Sequence, residues 1–540
     1  MCTPERQLNN ANLWRCFTFP HQWASAAGQW SWLFRVRIHF TTSLLLTIVQ
    51  QSFHLNRTGV MAMDKNALLE SINDLALRKQ NLLREMDDVN LELGVQRAQY
   101  ARLLNDDSFV YRLPNELLTG ILINHQPNAR YSSKQRIPFQ VTASHVSHRW
   151  RDVVLSTPLL WNTIDFRIRP MNHVQGRILS QLDVYLTRSD ACFLDITLDF
   201  QIVDDLSSYF DLLAAHSLRW RRLAIATRYE QVDDIHNLLR NIPTTGFEHL
   251  SISLGRPQEG SLSPRKPCAT VSPTILLAGC PSLTFVRLAG MALGNLHPPL
   301  TTVTTLHLDG WTRTFMTHDQ LKAILVASVS LVNLSLNQLH IHHPRDPLEV
   351  IHPVKLPNVQ CLRLLGPCSP VSRLLSLMDT PQLLSLSLQD VDTFDSNIFP
   401  SVQWLSIDRC ALDYLEVAHL IHSFPSVEFL SIDESLPDIY DMLLPDLDNH
   451  KPHPWPRLQT ISLRNLQTID VPHFCHLIHN LQQSDKSPLG TVCLDRRSRT
   501  VLRTKHRLDW LQDRLKVEHC DVPEPWPPGL GYEDTHDLLE

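Results

Sequence analysis

The chain reads as an α/β protein, a helical front followed by an irregular solenoid of short strands. Three observations predict this. Two nearly identical phrases, FPSVQWLSID from Phe399 and FPSVEFLSID from Phe424, lie twenty-five residues apart. The frame behind them, apolar-x-x-apolar-x-apolar, recurs eleven times at spacings of 19 to 36 residues. Proline stands two residues before the first apolar position in six copies, as Pro281, Pro357, Pro381, Pro400, Pro425 and Pro456. Repetition at such a period means one supersecondary unit stacked on copies of itself.

In each copy the spacing predicts a short strand whose alternate side chains enter a core, followed by a return segment. The strong copies are Leu283/Val286/Leu288, Val303/Leu306/Leu308, Leu331/Leu334/Leu336, Val359/Leu362/Leu364, Leu383/Leu386/Leu388, Val402/Leu405/Ile407, Val427/Leu430/Ile432 and Leu458/Ile461/Leu463. Weaker ones are Phe193/Ile196/Leu198, Trp220/Leu223/Ile225 and Phe247/Leu250/Ile252. A proline entering each strand suits a turn, because its fixed φ and missing N–H prevent the previous helix from continuing.

This pattern resembles the leucine-rich repeat over Phe193 to Leu466, about half the chain. Repeat length is irregular, and the position where that family places Asn or Cys is mostly apolar here, at Met291, Trp311, Leu339, Val391 and Leu466, with Cys410 fitting. An irregular solenoid without a continuous asparagine ladder is expected over residues 190–520.

Composition excludes several classes of function. The 540 residues are 43% hydrophobic, with a net charge of −6, which leaves no electrostatic footprint for nucleic acid. No run approaches the length of a membrane span; 40–49 is the greasiest stretch and contains three threonines and a serine. Eleven scattered cysteines without a C-x-x-C pair read as reduced thiols of a cytoplasmic or nuclear protein.

Ahead of the repeats, residues 64–107 carry no proline and two interleaved heptad series. Leu68, Leu75, Leu82, Val89, Gln96 and Leu103 form one, and Ile72, Lys79, Met86, Leu93 and Tyr100 the other. They predict a helix of about forty residues with a narrow seam that could self-associate as a coiled coil or lie on the next domain.

FVYRLPNELLTGILINHQ follows from Phe109. Leu113-Pro114 ahead of Glu116, Leu117, Leu118, Ile121 and Leu122 puts proline in the first helical turn, a carboxylate at the positive helix end and an apolar stripe behind. After a polar insertion, Val146, Trp150, Val153 and Val154 keep helical spacing. Ser156-Thr157-Pro158 stops that helix, and Leu159, Leu160 and Trp161 close the module. The order L-P-x-E-L-L, V-x-x-x-W-R, P-x-L-W resembles the F-box, here 109–166; the heptad helix resembles one preceding it in many fungal members. Ser147, His148 and Arg149 depart from that family's frequent cysteine and basic residues.

The resemblance implies a substrate-recognition subunit of an SCF-type ubiquitin ligase, non-enzymatic and without cofactor. Leu113, Pro114, Leu117, Leu118, Ile121, Val146, Trp150, Leu160 and Trp161 would dock a Skp-type adaptor, and through it a cullin–RING ligase, while the repeats bind an unknown target. A leucine-rich scaffold acting without any ligase is the alternative. On the strands, residues flanking the core leucines leave the core. Trp404, Ser406, Asp408 and Phe429, Ser431, Asp433 are therefore expected to stack as aromatic, serine and acidic rows, the serines continuing at Ser387 and Ser462. The pair Trp404/Phe429 beside Asp408 and Asp433 is the candidate site for a basic segment of the target.

No phosphate-loop, nucleophile-elbow or zinc-protease motif occurs, and sixteen glycines give little material for a phosphate cradle. His340, His342 and His343, and the group His473, Cys475, His476 and His479, lack the second ligand pair that zinc needs, so they read as a polar loop and an amphipathic helix. Residues 1–62, with five arginines, one acid and four tryptophans, fit a transit peptide or, preferably, translated sequence upstream of a start at Met61 or Met63. Residues 523–540, proline-rich and acidic, are expected to be disordered, and the loop from Arg256 mobile.

Overall fold

A computed structural model of the chain describes residues 65–125, 138–167, 175–255, 272–310, 315–342, 353–366, 371–434, 437–444, 454–483, 488–520 and 526, apart from positions 202, 204, 244, 392–393 and 395–397. The 1–62 segment and the loop from Arg256 lie outside them. The chain divides into two units, Met1–Asp107 and Ser108–Glu540.

In the first unit, helix α1 spans Lys65–Asp107, 43 residues. Its apolar heptad side chains, from Leu68 through Leu103, are all exposed.

The second unit opens with short helices. Ser108 caps a turn at Phe109–Arg112, and helix α2, Asn115–Asn124, starts directly after Pro114, whose φ of −53° is preset for helix entry. Helix α3 is Phe139–Ser144 and helix α4 His148–Leu155. The helical spacing read from Val146 to Val154 is broken here. Ser147 is extended, with its hydroxyl accepting from the Trp150 N–H at 3.2 Å, so the helix begins after it and Val146 falls in the turn. Arg149 ties the module together by donating to the Tyr111 and Leu113 carbonyls and to Asn115 Oδ1, with its guanidinium over the Tyr111 ring.

The main sheet is parallel, with fourteen strands whose neighbours in space follow chain order; two further parallel pairs are Phe315–Thr317 with His340–His342, so that His340 and His342 lie in a strand and not a loop, and Val354–Lys355 with Met378–Asp379. The strands of the main sheet are β1 Thr163–Arg167, β2 Leu194–Asp199, β3 Trp220–Thr227, β4 His249–Leu254, β5 Phe285–Gly290, β6 Thr305–Asp309 and β7 Asn333–Asn337. Then come β8 Cys361–Leu365, β9 Ser385–Gln389, β10 Trp404–Asp408, β11 Phe429–Asp433, β12 Thr460–Arg464, β13 Thr491–Leu494 and β14 Lys516–His519. The sheet starts inside the 109–166 segment, because Ile164 and Phe166 pair with Ile196 and Leu198.

Every expected pair of strand leucines falls in register with the next. Leu386 faces Leu405, Leu405 faces Leu430, Leu430 faces Ile461, and the same holds back to Ile196. This column, with helices such as Val232–Arg240, Tyr414–Ser423 and Val471–Gln483 behind it, forms one continuous core. A one-residue slip would turn every leucine to the other face, which is why register is so strongly specified.

The prolines act as expected. With Pro281, Pro357, Pro381, Pro400 and Pro456 second in the turn, the first apolar residue donates its N–H to the carbonyl three residues earlier, at 3.2 to 3.3 Å. Phe193 is the exception among the first positions: it is exposed, and a register irregularity between Leu194 and Asp195 puts Leu194 opposite Trp220.

In place of an asparagine ladder, backbone closes the strand ends. The residue after the strand is left-handed in six successive repeats, at Gln338, Gly366, Asp390, Arg409, Glu434 and Asn465. The first five donate their N–H to the last carbonyl of the next strand, at 2.7 to 3.1 Å. The next position then turns inward, burying Leu339, Val391, Cys410 and Leu466.

Candidate protein-interaction surfaces

The helical module separates its apolar side chains into two groups. Leu118 is 1% exposed, whereas Leu117 is 56%, Ile121 43% and Val146 58% exposed. Pro114 is exposed too, and Leu113 and Trp150 are half-buried. In α2, residues 117 and 121 align along an exposed strip and 118 and 122 along the adjoining buried one, as a four-residue spacing requires. Leu118, Leu160 and Trp161 are core residues and are not available for docking. Trp161 donates its indole N–H to the Val154 carbonyl at 2.9 Å, packs edge-on to Tyr185 and lies under Arg188, joining the module to the first repeat. Burial raises the Tyr185 hydroxyl pKa well above its ordinary value, and Gln140 donates to it. Phe109, Val110 and Leu159 are exposed apolar residues outside the expected set; only their flanking position in FVYR and PLL marks them in the sequence.

On the sheet, the face away from the leucine column carries three rows. Serines 387, 406, 431 and 462 are neighbours in successive strands. Trp404 and Phe429 stack with ring centroids 3.8 Å apart, both half-buried.

The acidic row departs from expectation. Arg464 lies opposite Asp433 in the register and pairs with it at 3.1 Å, while Asn465 donates to the other oxygen at 2.6 Å. Asp433 is therefore engaged within the protein and not presented to a basic segment. Asp408 has Arg409 at 3.8 Å, but that guanidinium is held by both oxygens of Asp390. Burial first, and then the neighbouring Asp433 charge, push the Asp408 carboxyl up to about 6, against the opposing pull of Arg409. The aromatic pair is thus the apolar centre of this region; of its two carboxylates Asp433 is ion-paired, while Asp408 shares a more distant cation with Asp390.

Further back the same face is closed. On β4 to β6 every residue of both faces is buried. His249 stacks on Phe285 at 4.0 Å, Phe285 approaches His307 at 5.0 Å, and His307 meets the edge of Trp526 at 5.3 Å. Arg363 lies over the Trp526 ring at 4.5 Å. Arg287 and Asp309 form an ion pair with both side chains 3% exposed. Burial, helped by the Arg222 and Arg287 charges, lowers His249 to about 3, so that ring is neutral. Trp526, within the segment expected to be disordered, is only 9% exposed; the rest of 523–540 lies outside the described residues.

Of the histidine groups, His473 faces Asp441 at 3.0 Å. Among the described residues no cluster of His, Cys, Asp and Glu has metal-holding geometry, and no helix is long and apolar enough to cross a membrane. Compared with known proteins, the chain matches no family model and no curated protein sequence.

Proposed function

We propose that the chain is a substrate-recognition subunit of an SCF-type ubiquitin ligase. The F-box-like module 109–166 docks a Skp-type adaptor, and the leucine-rich-repeat-like sheet behind it binds the protein to be ubiquitinated. One observation carries the reading: a small helical module with its own buried leucines leaves Leu117, Ile121 and Val146 in water, beside Pro114. A module of this size cannot bury all its apolar surface, and a partner gains by covering what remains. The docking set is accordingly Pro114, Leu117, Ile121 and Val146, with Leu113 and Trp150 at its edge. Trp404 and Phe429 are the anchor offered to the target.

The test is the pair Leu117→Asp and Ile121→Asp, which leaves the buried Leu118 untouched. Two charges placed in a desolvated apolar contact lack partners there. Adaptor capture by the full chain should fall at least tenfold, with circular dichroism and melting temperature unchanged. A folded double variant that captures adaptor like the wild type would favour the leucine-rich scaffold acting without a ligase.

A further inference from the structure

The row that carries the serines also contains a gap. In register, His307 of β6, Ser335 of β7 and Arg363 of β8 are successive neighbours. Strands lie about 4.8 Å apart, so the backbones that carry the first and third residues stand roughly 10 Å apart with the small middle one between them. That is the width of a slot for a flat ring, with a histidine as one wall, a guanidinium as the other and Ser335 as the floor. The Arg363 wall is itself fixed, since its Nε donates to Ser335 Oγ at 3.2 Å. Elsewhere in this row the members from Ser387 to Ser462 are all small, so no second pair of walls stands there.

Trp526 is the ring in the slot, edge-on to His307 and under Arg363. Its contacts are those that select an indole: a cation over the face and an aromatic edge, both in a dehydrated setting. The chain around it is acidic. Residues 521–540 hold six carboxylates and neither lysine nor arginine, with prolines at 523, 525, 527 and 528. On this face Arg287 is already neutralised by Asp309, so Arg363 is the cation that faces the ring and its acidic segment.

We propose that His307, Ser335 and Arg363 form an exchangeable recognition slot for a tryptophan borne on an acidic, proline-flanked segment. Trp526 is its internal ligand, and a partner segment of the same chemistry displaces it. The inference is independent of the adaptor reading, since it concerns only the sheet.

The probe is a fluorescein-labelled peptide, DVPEPWPPGLGY, matching residues 521–532, titrated into the full chain by anisotropy. The Trp526→Ala chain should bind it at least tenfold more tightly than wild type, whose own tryptophan competes at high effective concentration. Adding Arg363→Ala should abolish that binding, as should alanine for tryptophan in the peptide. Equal affinity of the two chains, indifference to Arg363→Ala, or no binding by a folded Trp526→Ala chain would each make the contact fixed packing and overturn the proposal. Should Trp526→Ala not fold, wild type decides the matter: it should bind the labelled peptide weakly, and Arg363→Ala alone should abolish that binding. Binding by wild type that Arg363→Ala leaves unchanged, or none at all, overturns the proposal equally.

Discussion

The polar face of the sheet is built twice from the same register and comes out differently at its two regions. On β10 and β11 the residues between the leucines are half-buried, with a partly exposed aromatic stack and Asp433 held by Arg464. On β4 to β6 the equivalent residues are closed off, and charged groups such as Arg287 and Asp309 are buried as deeply as the leucines opposite them. An identical backbone thus gives two electrostatic environments, and the same type of ion pair should differ in its effect on stability between them. In water a pair gains little beyond what solvent offered each charge; in a closed site the partner left behind has nothing to replace what was lost.

The largest expected effect breaks the buried pair. Arg287→Ala leaves the Asp309 carboxylate buried without its cation and should cost about 3–5 kcal/mol in urea denaturation. Replacing both, as Arg287→Met with Asp309→Leu, should recover most of that loss. Arg464→Ala makes the corresponding change in the open region. Asp433 keeps its bond from Asn465, and the Arg464 side chain is 25% exposed, so the cost should be about 1 kcal/mol or less. Similar losses from Arg287→Ala and Arg464→Ala would erase the distinction between the regions.

A smaller effect sharpens it. Trp404→Ala removes one partner of the stack and should cost about 1 kcal/mol, measured by thermal unfolding, because the ring is half-exposed already. Its larger consequence should be for target capture, once a bound protein is in hand.

The smallest effect concerns protons. The Asp408 carboxyl is raised to about 6 in the fold, above its value in the unfolded chain. Between those two values the folded state holds a proton that the unfolded state has released. This group therefore adds stability as pH falls through about 6 and subtracts it as pH rises. Asp408→Asn should remove that dependence and raise the melting temperature at pH 7 by no more than about 2 °C, with the difference from wild type shrinking below pH 6 and vanishing toward about pH 4. A variant that tracks wild type across this range would show the carboxylate to be better solvated than its position implies.

The two regions also differ in how far they could be read in advance. Eleven of the fourteen strand positions, their leucine register, the proline turns and the rows Trp404/Phe429 and Ser387 to Ser462 were legible, because a period of two along a strand and one unit per repeat are local rules; β1, β13 and β14 fall outside the eleven recurring frames. The αL residues that close each strand end were not. They are chemically diverse, and what holds them is a hydrogen bond to the following repeat.

The amino-acid sequence by itself determined which side chains share a row and which share the leucine column. Leu117 and Leu118 belong to one apolar stripe in the sequence, and only packing separated them into an exposed and a buried residue. What only the tertiary structure decided is the environment of each row. Leu118 and Trp161 became core through α4 and the helix at Gln175–Arg188, Asp433 became occupied through Arg464, and Trp526 left the solvent for β6 and β8. The physical reason is that burial and charge pairing are set by neighbours brought close in space, at separations from 24 residues for Trp161 and Tyr185 to 219 for His307 and Trp526.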